Sequence, residues 1–386
     1  MKKFASFLFK AVLCIAVVYL GIYAGNRIIE EVDPWNGTVP VEVTEYGSPH
    51  KFYYNRLSDK EKHAYNEIIT HIYDMPESIR IPAVNDAELS NVFSAILHDN
   101  PDLFFIGRKC SLTSNFLITE CSLEYTVSKS EYAEMKAELN ERCHEILSSL
   151  SNIEDDWQTE LEIHDSIIKN CEYKLEEGNY ICSSSYGALV NGEAACEGYS
   201  KAAKLLFDLA GMESAVVSGQ SESNESSGPH MWNVVKIYGD YYHLDCTWND
   251  AENQKNKDIT DYAYFNLTDD MIKKTHSNFS YYFNCESTKA NYHIKKGRYF
   301  ESYDRSNEKT VADITNKTID AGGNSVSFRL ATEKEFNNAG EELVDDGRFY
   351  EVIRRTSLKS FFDVNKASLM YYGNPDQYVL TFIVEV

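Results

Sequence analysis

The segment from residue 186 to residue 250 constrains the fold of this chain more strongly than any other part of it. A short run of small residues, Gly192, Ala194 and Ala195, lies just before Cys196. Apolar residues then recur at the spacing of one helix face: Tyr199, Ala202, Ala203, Leu206, Phe207 and Ala210. Gly211 follows as a helix stop signal. The pattern predicts a buried helix with Cys196 at or near its N-terminus.

A β-hairpin is predicted after this helix. Residues 230–245 read as two strands joined by the Gly-Asp turn at 239–240. A two-residue turn there places Val234 opposite Asp245, and side-chain alternation puts His230 on the same face as Asp245. In this ideal register the two side chains are about four residues out of step. A bulge, a longer turn or a different register must therefore bring them together.

Cys196, His230 and Asp245 carry the groups of a thiol catalytic site. A helix N-terminus favours a thiolate, because its unpaired N–H groups and its dipole stabilise negative charge. We therefore predict Cys196 as the nucleophile and His230 as the general base. Asp245 would accept a hydrogen bond from the imidazole and fix its tautomer. His243 shares the predicted face of Asp245 and is an alternative for the base.

Four further residues are candidates for the surroundings of the site. Tyr199, Trp232 and Trp248 are predicted to wall the cleft and exclude water, and Asn191 to supply an extra oxyanion donor. The Cys–His–Asp set could also bind a metal ion. No CxxC pair or His-rich tract gives a zinc spacing, however, so we expect neither a metal nor a cofactor.

The sequence around these residues resembles the transglutaminase-like superfamily, in its bacterial extracytoplasmic branch. Three pieces carry the resemblance in order: GEAACEGYSKAAKLL, HMWNVVKIYGDYYHLDCTWND and YFNLTDDMIKKTHS. The family pattern is matched position by position at Cys196 with Gly198-Tyr199, His230 with Trp232-Asn233, and Asp245 with Thr247-Trp248. Any one piece alone would be weak, and the three linked pieces together are specific.

The resemblance implies a papain-like arrangement, in which a helix carrying Cys packs on an antiparallel sheet carrying His and Asp. It also implies thiol acyl transfer, either transamidation or hydrolysis of an amide, on a protein or peptide substrate, with cell-wall peptide as one option. The best-known transglutaminases bind calcium and have flanking β-sandwiches, and neither is indicated by this sequence. The alternative, from a different class, is a catalytically silent transglutaminase-like scaffold that binds a partner at the cell surface.

The remaining sequence predicts an α+β fold with a small module on each side of this core. We assign residues 51–150 to an N-terminal α+β module, residues 151–297 to the catalytic domain and residues 298–386 to a C-terminal α+β module. Ser58 and Glu61 form a capping-box pattern at the start of the first predicted helix.

The N-terminal segment predicts a membrane anchor. Two lysines precede an uncharged apolar run at residues 11–25, and the whole apolar stretch approaches the ~20 residues that span a bilayer. We interpret residues 1–28 as an uncleaved signal-anchor and residues 29–50 as a linker. This predicts a single-pass cell-membrane protein with its bulk outside, or a secreted protein if the segment is cleaved.

Charge and cysteine content limit the partners and the redox chemistry. The net charge of -23 and the pI of about 4.8 would repel phosphate backbones, so no nucleic-acid partner is expected. The chain has nine cysteines. Cys110 and Cys121 flank a short turn-like stretch and could form a disulfide, although the sequence leaves the pairing open.

Overall fold

The computed structural model describes residues 18–23, 33–35, 37–44, 48–114, 118–152, 154–222, 227–250, 260–279, 283–354 and 368–385. The chain divides into two compact units: unit 1 is Met1–Asn100 with Phe105–Lys129, and unit 2 is Pro101–Phe104 with Ser130–Val386. Both units contain helices and sheets, so the predicted α+β class is confirmed. The finer domain boundaries drawn from the sequence stay predictions.

Unit 1 combines two helices with a three-stranded antiparallel sheet. The elements are α1 (Asp59–His71), β1 (Ile79–Pro82), α2 (Asp86–Asp99), β2 (Ile106–Ser114) and β3 (Ile118–Tyr125), and the strand order is β1-β3-β2. The predicted capping box is confirmed, since Ser58 and Glu61 bond each other's backbone N–H at the start of α1. Cys110 and Cys121 lie on neighbouring strands as free thiols.

Unit 2 contains nine described helices that we label α3 to α11. They are α3 (Lys129–Ser148), α4 (Asp156–Asn170), α5 (Cys196–Leu209), α6 (Cys246–Asn249), α7 (Asp269–Ile272), α8 (Tyr292–Lys295), α9 (Glu308–Asp320), α10 (Glu333–Gly340) and α11 (Arg348–Arg354). Short 3₁₀ or π turns at Tyr180–Ser183, Gly187–Asn191, Arg305–Asn307 and Glu341–Asp345 connect some of them.

The strands of unit 2 form two four-stranded sheets and one small parallel pair. They are β4 (Glu172–Tyr173), β5 (Glu193–Ala194), β6 (Ser214–Glu222), β7 (Ser227–Ile237), β8 (Asp240–Leu244), β9 (His276–Ser277), β10 (Tyr299–Phe300), β11 (Ser325–Leu330), β12 (Ser368–Asn374) and β13 (Val379–Glu385). The sheet orders are β8-β7-β6-β9 and β10-β11-β13-β12, and β4 pairs with β5.

Helix α5 packs on the antiparallel sheet β8-β7-β6-β9, mainly against β7 and β6. The buried face of α5 includes Tyr199, Leu206 and Phe207. The side chain of Asn233 on β7 donates to the carbonyl oxygen of Ser200 at 2.9 Å, which fixes the helix over the sheet. The predicted core, a Cys-bearing helix on an antiparallel sheet, is therefore confirmed.

The hairpin of β7 and β8 turns one residue earlier than the sequence suggested. Ile237 pairs with Asp240, so the turn residues are Tyr238 and Gly239, and both have positive φ, 52° and 94°. Two positive φ values define a type I′ turn, whose twist matches that of the flanking strands. The register is shifted by two residues, which preserves the predicted face but brings His230 closer to Asp245 along the strands.

The last part of unit 2 surrounds the sheet β10-β11-β13-β12 with α9, α10 and α11. Phe328, Phe349 and Phe382 lie in its apolar core. The buried guanidinium of Arg329 donates to the carbonyl oxygens of Ala263 and Gln377. The bond to Ala263 ties the C-terminal sheet to the segment that leads into β9, and the bond to Gln377 holds the turn between β12 and β13.

The predicted transmembrane anchor and single-pass membrane location are corrected by the structure. Among the described residues, no helix is both long and apolar enough to cross a membrane. Most of the segment 1–28 lies outside the described residues.

Candidate active site

Cys196 occupies the first position of α5. The residue before it, Ala195, has extended backbone angles and no side chain that caps the helix. The side chain at the N-cap therefore accepts no hydrogen bond from the N–H groups of the first turn. The helix dipole adds partial positive charge near the sulfur of Cys196. Cys196 is half-buried, whereas six other cysteines of the described residues are buried: Cys121, Cys143, Cys171, Cys182, Cys246 and Cys285.

A close backbone approach holds the start of α5 in position. A Cβ on Gly198 would lie 2.7 Å from both the Cβ of Ala194 and the carbonyl oxygen of Cys182. The backbone N–H of Ala195 donates to that same carbonyl at 2.9 Å. Only glycine fits at position 198, which explains in physical terms the Cys-x-Gly-Tyr pattern seen in the sequence.

His230 and Asp245 are brought into direct contact. The Nε2 atom of His230 lies 2.7 Å from Oδ2 of Asp245, and both residues are buried. Asp245 leaves β8 and becomes the N-cap of α6, where its Oδ1 accepts the backbone N–H of Trp248 at 3.1 Å. The carboxylate is thus anchored at both oxygens.

The electrostatics of this pair favour a protonated imidazole. Burial alone would lower the pKa of His230, but the charge and the hydrogen bond of Asp245, together with a hydrogen bond to Cys196, raise it to about 10. Burial alone would raise the pKa of Asp245, but His230 and His276 hold it well below its usual value. The pair is therefore an imidazolium bonded to a carboxylate.

His276 is a residue of the site to which the sequence analysis assigned no role. It begins β9, which pairs with β6, and its Nε2 lies 3.0 Å from the same oxygen of Asp245 that His230 contacts. The side chain is buried. The one signal for it in the sequence is its position in YFNLTDDMIKKTHS, the third piece of the family resemblance.

Two of the predicted cleft residues lie against the histidines. The ring of Trp232 stacks on His230 with centroids 6.0 Å apart, and the ring of Trp248 lies 6.0 Å from His230 and 4.8 Å from His276. Trp232 is buried and Trp248 is half-buried. Their apolar surfaces reduce the access of water to the pair of His230 and Asp245.

The other two predicted cleft residues have different surroundings. Tyr199 is fully buried under α5, and its hydroxyl donates to Asp250. It lies one helix turn after Cys196, with its ring in the core. Asn191 is exposed at the end of the turn Gly187–Asn191. The cleft role of Tyr199 and the oxyanion role of Asn191 both stay predictions.

Two clusters of the described residues contain enough ligand types for a metal ion: His230, Asp245 and His276 form one, and His243, Asp269 and Cys285 the other. In the second cluster Trp232 donates its indole N–H to Nδ1 of His243 at 3.0 Å. Because an indole can only donate, the ring proton of neutral His243 is on Nε2, where it bonds Asp269 at 2.9 Å. That proton occupies the nitrogen a metal would need, so the donor set of this cluster does not fit one.

Comparison with known proteins agrees with this architecture. Residues 145–246 match the family model of the transglutaminase-like superfamily, a stretch that includes Cys196, His230 and Asp245. This stretch of the chain is therefore similar to a transglutaminase-like domain. No curated protein matches the chain significantly.

Solved structures with low similarity were also found. A structure described as a TGase is 14% identical, with 50% of this chain and 60% of that chain covered and a TM-score of 0.28. A proposed cysteine protease from Cytophaga hutchinsonii is 12% identical, with 36% and 61% covered and a TM-score of 0.25. The chain thus spans about 60% of the length of each of these two structures. TM-scores this low carry no further conclusion.

Proposed function

We propose that this chain is a thiol enzyme of the transglutaminase-like type, with Cys196 as nucleophile, His230 as acid and base, and Asp245 as the group that orients His230. The proposed reaction is acyl transfer from an amide, to water or to an amine. The observation that carries the proposal is the bond of His230 Nε2 to Asp245 at 2.7 Å, in an imidazole whose pKa is also raised by the side chain of Cys196 at the start of α5.

The charge distribution suits each step of this chemistry. The Cys196 thiolate would attack the amide carbon, and the oxyanion that forms would be stabilised by the N–H groups and dipole of the first turn of α5. His230 would give its proton to the departing nitrogen as the C–N bond breaks, which leaves a thioester on Cys196. Water or an amine would then attack the thioester, lose its proton to His230 and release the thiolate.

Protein or peptide amides are the proposed substrates. The wall formed by Trp232 and Trp248 is apolar, and it would exclude bulk water from the acyl-enzyme. Whether water or an amine takes the acyl group depends on which one reaches the thioester. Incubation with a glutamine-containing protein and a labelled primary amine distinguishes the two, because transamidation attaches the label and hydrolysis releases ammonia alone.

Alkylation by iodoacetamide at neutral pH tests the proposed nucleophile without a known substrate. A Cys14→Ser background removes the cysteine that lies outside the described residues. The buried cysteines should react slowly, because burial raises, for example, the pKa of Cys121 and of Cys143 to about 12. We expect rapid labelling that is lost in Cys196→Ser and falls about tenfold or more in His230→Ala.

The half-buried Cys110 supplies the matched control. Burial raises its pKa, and no histidine within the described part of the chain is paired with it, so Cys110→Ser should leave the rapid labelling unchanged. Slow labelling of the parent protein that is insensitive to His230→Ala would rule out the thiol enzyme. That result would favour the catalytically silent scaffold instead.

A further inference from the structure

The Asp245 carboxylate is shared between two histidines. Its Oδ2 atom accepts from His230 Nε2 at 2.7 Å and from His276 Nε2 at 3.0 Å. We propose that His276 is a positioning residue of the active site, which holds Asp245 against His230 by donating to the oxygen that His230 also bonds. The inference rests on the proposed function, because it assigns His276 an effect on the nucleophile through His230.

His276 reaches the Asp245 carboxylate from a different strand than His230. His230 lies on β7 and Asp245 follows β8, whereas His276 belongs to β9 on the far side of β6, paired with Ser221. Gly219 on β6 allows β9 and the ring of Trp232 to lie close to the backbone of β6. A Cβ there would lie 2.8 Å from the ring of Trp232 and 2.7 Å from the carbonyl oxygen of Ser277.

The surroundings of His276 fix its ring and its tautomer. The rings of Trp232 and Trp248 lie 4.8 Å from it, and that of Tyr264 lies 5.9 Å away. Its Nδ1 is 2.9 Å from the hydroxyl of Thr275. A carboxylate only accepts, so the ring proton is on Nε2, and the Thr275 hydroxyl can donate to Nδ1.

The titratable groups that face His276 favour its neutral form. They are His230 from β7, His243 from β8, Asp245 and Tyr264. Burial lowers the pKa of His276, and the nearby histidines lower it further, against the opposing pull of Asp245. His230 therefore carries the positive charge of the site, and His276 supplies a neutral donor.

A neutral donor on Oδ2 has two consequences for His230. It fixes the carboxylate together with the Trp248 N–H that holds Oδ1, and it stabilises the charge of Asp245 so that the carboxylate attracts the proton of His230 less strongly. Without His276, Oδ2 would become more basic and would hold the His230 proton more tightly. The imidazolium would then be a weaker acid toward a departing amine.

The pH profile of Cys196 alkylation by iodoacetamide tests this role. Its upper limb reports the loss of the His230 proton, so His276→Leu should move that limb upward by about one pH unit. His276→Gln keeps an N–H donor at a similar reach and should restore the profile to within about 0.3 unit. An unmoved profile in His276→Leu, or a profile in His276→Gln that matches His276→Leu, overturns the proposal.

A spectroscopic readout covers the case in which the leucine variant fails to fold. In the parent protein with ¹⁵N-labelled histidine, the His276 ring should show protonated Nε2 and bare Nδ1 at pH values above 6.5. A His276 ring protonated on both nitrogens there, or on Nδ1 alone, overturns the proposal. The matched control is His293→Leu, which removes a buried histidine bonded to Ser327 and not to Asp245, and which should leave the alkylation profile unmoved.

Failure of the proposed function gives a different result. If alkylation of the parent protein does not depend on His230, the thiol enzyme is wrong, whatever the tautomer of His276. If alkylation depends on His230 but not on a donor at position 276, the thiol enzyme stands and the positioning role of His276 is wrong.

Discussion

His230 and Asp245 share a 2.7 Å hydrogen bond although they do not lie opposite each other on their strands. The pairing of Asn233 with Leu244 would continue to Trp232 opposite Asp245, so His230 lies two residues further along. Diagonal neighbours of this kind are about 7 Å apart, within reach of a long side chain. The gap closes because Asp245 ends its strand and turns to cap α6.

The ion pair of His230 and Asp245 predicts how stability depends on pH. The pKa of His230 rises from 6.5 to about 10 in the folded protein, so its stabilising contribution is complete below pH 6.5 and is lost as the pH rises through 10. The lowered pKa of Asp245 gives a contribution that is present above pH 3.8 and is lost at more acid pH. Between pH 7 and 10 the Tm of the parent protein should fall about 3 °C more than that of His230→Gln. Parallel Tm curves would contradict this prediction.

Gly198→Ala should destabilise unit 2 and slow the alkylation of Cys196. The added Cβ would clash with Ala194 and with the carbonyl oxygen of Cys182, both at 2.7 Å, and would displace the start of α5. We expect a loss of about 1–3 kcal/mol in urea unfolding. Gly340→Ala is the control, because its Cβ would meet nothing within 4 Å and its φ is -60°. If the two variants are equally stable in urea and are alkylated at equal rates, the close backbone approach at Gly198 is not supported.

Tyr199→Phe should cost stability because of the bond between the Tyr199 hydroxyl and Asp250 in the core. Removal of the donor from a buried carboxylate should lower the free energy of unfolding by about 1–3 kcal/mol. Tyr350, 45% exposed, offers the comparison: Tyr350→Phe should change that free energy by less than about 0.5 kcal/mol. A Tyr199→Phe variant as stable as Tyr350→Phe would mean that the buried bond contributes nothing.

Arg329→Met should affect both stability and the active site. The guanidinium is fully buried, and its loss would leave the carbonyl oxygens of Ala263 and Gln377 without their donor. We expect about 2–4 kcal/mol lower stability by urea unfolding. Cys196 alkylation should also slow, since the anchored segment leads into His276. The surface pair of Arg354 with Glu351 gives the control, where Arg354→Met should change neither measurement. Unchanged alkylation in a folded Arg329→Met protein would show that the C-terminal sheet does not support the site.

Local patterns in the sequence were sufficient for the helix of Cys196 and for the shared face of His230 and Asp245. Helix periodicity and strand alternation depend on neighbours along the chain, so both were predicted before any contact was known. The turn was placed one residue late, because Gly239 and Asp240 form a good turn dipeptide and the positive φ of Tyr238 leaves no mark in the sequence. The anchor prediction was wrong, since no helix among the described residues is long and apolar enough to cross a membrane.

The sequence by itself determined the three groups of the candidate site, because their types and contexts are local: a cysteine at a helix start, a histidine on a strand and an aspartate at the end of the next strand. The tertiary structure decided the register that joins His230 to Asp245, the bond between Tyr199 and Asp250 and the position of His276 at the same carboxylate. These depend on how a type I′ turn, the underside of α5 and a distant strand pack together. Such contacts join residues far apart in the chain, so the local sequence pattern does not predict them.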